Sequence, residues 1–187
     1  DLSRARSLAD VTAAIAARVK TSAPGDVIVS NSDWHEAQLK EQRLPLRDDL
    51  DRIAPANPVI LVRGGHEYIL NSPALMRSGI DIKTPEPAGG RLTRYPDGRL
   101  NGELVDTAKA LVSMPRPPLR TPNDQLAERV AEYTKLNAGG LTTVRHPGIS
   151  VADYRTLEEI QKRGLLTMRV NALLRPAIGP ALVEPLI

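Results

Sequence analysis

PVILVRGGHEYILNSPAL, residues Pro58 to Leu75, is the stretch that decides how this chain is read. Val59, Ile60, Leu61 and Val62 form a short unbroken apolar run, rich in β-branched residues and preceded by a proline. A run of that length without polar alternation fits a strand buried on both faces. It stops at Arg63-Gly64-Gly65-His66, a flexible turn holding a histidine just past the strand's carboxyl edge. In α/β proteins that edge is where ligands bind. Asn71, Ser72 and Pro73 then supply a cap and a first-turn proline for a helix-like segment. Strand, glycine turn, histidine and capped helix together predict one wall of an active site. The plain alternative is a loop histidine beside an ordinary turn.

The flanking sequence predicts an α/β protein. Ser7 caps a helix near 8–20, with Leu8, Val11, Ile15 and Val19 as its apolar stripe and Asp10 as a capping-box partner. Pro24-Gly25 ends that helix, and Val27-Ile28-Val29 begins a short strand. Residues 36–57 are polar and punctuated by proline. From about 80 to 120 the chain is rich in proline and glycine and reads as an irregular excursion, with a small hairpin around Asp97-Gly98. After Arg120 the order becomes regular. Thr121-Pro122 with Asp124 opens a helix near 123–137, Leu141 to Val144 is a strand, and Ser150 with Asp153 opens a helix near 151–163. A further strand falls within 165–174. Alternation of this kind means parallel strands joined by crossover helices, here including 59–62. A full eight-fold barrel typically needs about 250 residues, so the expectation is a partial TIM-type (β/α) barrel with a Pro/Gly-rich insertion. Its segments are 1–120, containing the insertion, and 121–187, carrying βα units.

An ordered set of local patterns runs through the chain. Within the opening stretch these are Arg63, Gly65-His66, Asn71-Ser72 and Ala74-Leu75, followed by Gly79-Ile80. Around it lie Ser32-Asp33-Trp34-His35-Glu36, Leu44-Pro45-Leu46-Arg47-Asp48-Asp49-Leu50-Asp51 and Pro96-Asp97-Gly98-Arg99-Leu100-Asn101-Gly102. Ala138-Gly139-Gly140-Leu141-Thr142-Thr143-Val144 and Met168-Arg169-Val170 complete it. In content and order the set resembles the amidohydrolase-3 branch of the metal-dependent amidohydrolases, the group of N-substituted formamide deformylase-like enzymes. That resemblance implies hydrolysis of C–N bonds in a small amide or formamide. It also implies zinc or another divalent metal, one or two ions, that lowers the pKa of a bound water to roughly 7.

Members of that group bind metal through a His-x-His pair, later histidines and a late aspartate. Here there are three histidines, His35, His66 and His146, and no two form such a pair. The chain therefore reads as the central piece of a longer protein, inactive alone, completed by the rest of its polypeptide or by a homo-oligomer. The alternative is a non-catalytic barrel fragment or subunit that binds a small molecule or is structural. Candidate substrate-binding residues are Trp34, His66 and Asn71. The resemblance puts a carboxylate facing the metal at Asp106, with Glu103 one helical turn before it. Both would be solvated if the segment is merely a charged helix face. His146, at the carboxyl end of a predicted strand, is the other metal candidate, or it bonds only a neighbouring loop. Trp34 walls a pocket or fills a core, its indole N–H seeking a partner in either case.

Composition narrows the field. The net charge is +3, with Lys and Arg scattered among acids in no single-sign block. Aromatic residues make up 3% and phenylalanine is absent, so the stacking platforms of a nucleic-acid binder are missing. With no cysteine there is neither a disulfide framework nor a thiolate ligand. No apolar run reaches membrane-spanning length. Frequent Ala, Arg and Pro fit a high-GC bacterial coding sequence, and no signal peptide is visible. The expected setting is the bacterial cytoplasm, with a secreted or periplasmic one left open.

Overall fold

A computed structural model describes residues 1–116 and 119–175 of the chain, so the end of the 121–187 segment lies outside the described residues. The chain divides into two compact units, Asp1–Arg116 and Pro117–Ile187.

The first unit opens with α1 (Leu8–Val19). The Ser7 hydroxyl accepts the Asp10 N–H at 3.1 Å, and the Asp10 carboxylate accepts the Arg6 N–H at 2.8 Å. The sheet consists of β1 (Ile28–Val29), β2 (Val59–Arg63), β3 (Glu67–Leu70), β4 (Gly90–Arg94) and β5 (Leu100–Asp106), in the order β1-β2-β3-β5-β4. Short helices α2 (Arg47–Asp51) and α3 (Ser72–Arg77) lie between its strands in sequence. Because side chains alternate across a strand, β2 sends Val59 and Leu61 into a core with Val11, Ile15, Trp34 and Leu50. Ile60 meets Leu70, Leu75, Leu92 and Leu104 on the other face. The unbroken apolar run thus serves two cores.

Strand direction departs from expectation. Only β1 runs parallel to β2; β3 is antiparallel to β2, and β5 is antiparallel to both β3 and β4. The Gly64-Gly65 turn therefore leads into a second strand of a hairpin, and α3 begins only after that strand. The stretch expected to be irregular also supplies β4 and β5. Their connection closes where Gly98 N–H donates to the Tyr95 carbonyl and Tyr95 N–H to the Arg99 carbonyl. Glu103 and Asp106 accordingly lie on a strand and not on a helix. In a strand, residues three apart point to opposite faces, so the proposed i,i+3 carboxylate pair does not form.

The second unit is α4 (Pro122–Ala138), β6 (Thr143–Ile149), α5 (Val151–Lys162) and β7 (Arg169–Leu174). Thr121 and Asp124 form the expected capping box, and Ser150 accepts the Asp153 N–H at 3.1 Å. β6 and β7 are parallel, with Thr143 opposite Arg169, so β6-α5-β7 is a βαβ crossover. Val144, Val170, Ala172 and Leu174 pack with Leu126, Tyr133, Leu157 and Ile160 of the helices. On the opposite sheet face Thr143, Arg145, Arg169, Asn171 and Leu173 are exposed.

Candidate functional site

His66 and Asp106, separated by 40 residues in sequence, meet where the β2–β3 hairpin turns over the end of β5. The His66 Nδ1 lies 2.7 Å from the Asp106 Oδ1. The main chains are tied as well, the Asp106 N–H donating to the His66 carbonyl at 2.8 Å. This contact follows from register: Glu67 pairs with Val105, which brings the next residue on each strand together. Gly64, with φ +55°, permits the tight turn. Asp106 is a non-glycine residue at φ 51° and ψ −118°, where the chain swings from β5 into a 3₁₀ turn, Thr107–Leu111. From that turn the Lys109 ammonium donates to the Gly65 carbonyl and lies 5.4 Å from the centre of the Tyr68 ring. The imidazole itself remains largely open, at 79% side-chain exposure.

Behind this hairpin the segment after β1 is clamped to the end of β2. The Arg63 guanidinium donates to both Glu36 carboxylate oxygens, at 2.8 and 2.5 Å. That fork holds the Glu36 carboxyl below the usual glutamate range, against the opposing effect of burial. The His35 Nε2 lies 2.6 Å from the Arg63 Nη2. Trp34 is buried in the core, and its indole N–H donates to the Val62 carbonyl at 2.8 Å. It thus fills the core and fastens β2 from the side.

Asn71 is fully buried, and every hydrogen-bonding position of its amide is in use. Its Oδ1 accepts the N–H groups of Val59 and Ala74 at 2.8 and 3.1 Å. Its Nδ2 donates to the carbonyls of Ala54 and Asn57, both at 2.9 Å. Contrary to the substrate-binding expectation, this geometry leaves no position for a ligand.

In the second unit His146 lies within β6, which continues to Ile149, and not at the strand's carboxyl end as expected. It shares a face with Val144, toward the helices. The Nε2 is 3.1 Å from the Tyr133 hydroxyl of α4, and the rings meet edge to face at 6.1 Å. Burial pushes the Tyr133 phenol above the usual tyrosine range, so it stays neutral and can donate to that nitrogen.

The sequence of the chain matches the amidohydrolase family over residues 1–184. The chain belongs to that family. Among relatives of this chain, an N-substituted formamide deformylase from Arthrobacter pascens is 39% identical over 85 residues, covering 45% of this chain and 16% of the relative. A putative amidohydrolase, YtcJ, of Bacillus subtilis (strain 168) is 32% identical over 120 residues, 64% of this chain and 22% of the relative. An uncharacterized metal-dependent hydrolase from Pyrococcus horikoshii OT3, of known structure, aligns with 97% of this chain and 33% of its own, with TM-score 0.46 and 18% identity. The chain thus spans only a minor part of each protein it matches.

The donor groups of this amidohydrolase segment do not fit a metal centre by themselves. Among the described residues no group of three or more His, Asp or Glu side chains is placed to hold an ion. His66 and Asp106 are bonded to each other, and His146 is bonded to Tyr133. A concave site of about 580 Å³, lined by Arg47, Leu75, Met76, Ile80, Arg99 and Leu100, contains none of the candidate residues. Three further side chains, Arg63, Tyr133 and Lys109, build these arrangements. Arg63 stands inside the most telling motif. Tyr133 falls on the apolar face of its helix, where its signal is that a buried phenol must find a partner. Lys109 fits a solvated charged face with Glu103 and Asp106 in the sequence, and its contact with the Gly65 carbonyl arises only through the fold. No helix among the described residues is long and apolar enough to cross a membrane.

Proposed function

We propose that this chain is the central segment of a metal-dependent hydrolase that cleaves C–N bonds in small amides or formamides. The observation that carries the reading is the family match over residues 1–184, joined by 39% identity to a formamide deformylase. In this reading a divalent metal, zinc or another, as one or two ions, is held by residues outside the chain. The contribution of the segment is a substrate-facing hairpin, with His66 presented at the end of β2 and its turn fastened by Asp106 and Lys109. The second unit is read as part of a TIM-type barrel. Its βαβ crossover is the repeating element of such barrels, and the exposed sheet face bearing Arg145, Arg169 and Asn171 is the face a closing barrel buries.

The test compares the 187-residue chain with a protein extended on both sides in its reading frame. Formate or amine release from N-substituted formamides is measured with and without a chelator. The extended protein should turn over and stop on chelation, while the chain alone stays at background. Turnover by the chain alone, or none by the extended protein, refutes the reading.

A further inference from the structure

We propose that Asp106 is a positioning residue that holds His66 with its Nε2 facing outward, as the acceptor for the N–H of a secondary amide substrate. It stands on the amide-hydrolase reading above and goes further by naming the atom and the substrate group it meets.

The direction of the bond fixes the proton. An ionised carboxylate can only accept, so the 2.7 Å contact with Asp106 Oδ1 requires the hydrogen on Nδ1, and in the neutral imidazole this leaves the lone pair on Nε2. A second partner that fixes the tautomer is the usual way a working histidine is oriented. Three separate ties hold this one in place: the side-chain bond, the Asp106 N–H on the His66 carbonyl, and the Lys109 ammonium on the Gly65 carbonyl. An exposed histidine–carboxylate pair adds little to stability, so stability does not account for such fixing. Nor does it account for Asp106 holding a positive φ, a conformation that clusters at functional sites. The imidazole is 79% exposed, so Nε2 is open to a ligand. What it can take is a donor, and in an amide the donor is the N–H.

The chain has only three histidines, so their tautomers can be read separately by long-range proton–nitrogen NMR of the 187-residue protein, with His66→Ala assigning the signal. His66 should show the Nδ1–H form. Asp106→Asn keeps the side-chain shape and tolerates the positive φ, yet should populate the Nε2–H form. In the extended protein, His66→Ala and Asp106→Asn should each raise KM for a secondary formamide about tenfold with kcat little changed, and the double variant should lose no more than either alone. An N,N-disubstituted formamide, lacking the N–H, should respond to neither. An Nε2–H form in the parent chain, a hundredfold loss in the double variant, or equal sensitivity of the disubstituted substrate overturns the inference while the amide-hydrolase reading stands. Loss of metal from Asp106→Asn makes Asp106 a ligand and overturns it as well. No amide turnover in the extended protein overturns both readings, and the NMR result then reports separately whether Asp106 orients His66.

Discussion

Asn71→Ala should be among the most damaging single substitutions in the first unit. The side chain is closed off from solvent and meets four main-chain groups that are themselves buried, on Ala54, Asn57, Val59 and Ala74. Removing it strands two N–H donors and two carbonyls at the junction of β2, α3 and the segment after α2. A buried polar group without a partner costs about 1–3 kcal/mol. Taking the low end for each group gives a loss of about 4 kcal/mol, a large part of the stability of a small domain. Urea unfolding followed by tryptophan fluorescence measures it cleanly, because Trp34 is the only tryptophan and is buried in this unit. Asn71→Asp sharpens the test. A carboxylate can cap α3 and accept from Val59, but it cannot donate, and it would face the Ala54 and Asn57 carbonyls. It should therefore cost at least as much as alanine, although aspartate is as good a helix cap as asparagine. A loss under about 1 kcal/mol for alanine, or a neutral aspartate, refutes the structural role and frees Asn71 for the substrate.

Two more outcomes follow from the same unit. Arg43 donates to Asp49 at 2.7 Å, and the fork of Arg63 holds Glu36, so both carboxyls sit below their usual ranges. Groups with lowered folded values contribute stability above the unfolded pKa of about 4 and lose it as pH falls through the folded value. The urea midpoint should stay level from pH 7 to pH 5 and drop in more acidic buffer, with Asp49→Asn and Glu36→Gln each flattening the acid limb; a midpoint that rises on acidification refutes this. Gly102 has φ +91°, and a Cβ there would run into the Leu70 carbonyl oxygen and crowd the Arg47 Cβ at 3.0 Å. Gly102→Ala should lower stability by more than about 2 kcal/mol, read from the same unfolding curve, and an unchanged curve refutes the close approach.

What is legible in this sequence is what is decided locally. Ser7, Thr121 and Ser150 announce helices because each cap and its partner lie three residues apart, and β2 is visible because its apolar run needs no knowledge of its neighbours. Strand direction is different. Glu67 to Leu70 lies between a glycine turn and the Asn71-Ser72-Pro73 cap, so it reads as the approach to a helix, and only pairing with β2 makes it a strand. Leu100 to Asp106 misleads in the same way: the carboxylates at 103 and 106 suggest a helix face, while burial of Leu100 and Leu104 on one side follows the strand period. The His66–Asp106 pair lies beyond any local signal, because it exists only through the register that sets Glu67 against Val105. A slip of one residue in that register would turn every side chain of β5 to the opposite face. It would send Leu104 out of its core and take the Asp106 carboxylate away from the imidazole. Burial of Leu104 therefore fixes the register on which the exposed pair depends, and the hydrophobic core of the first unit aims its candidate site.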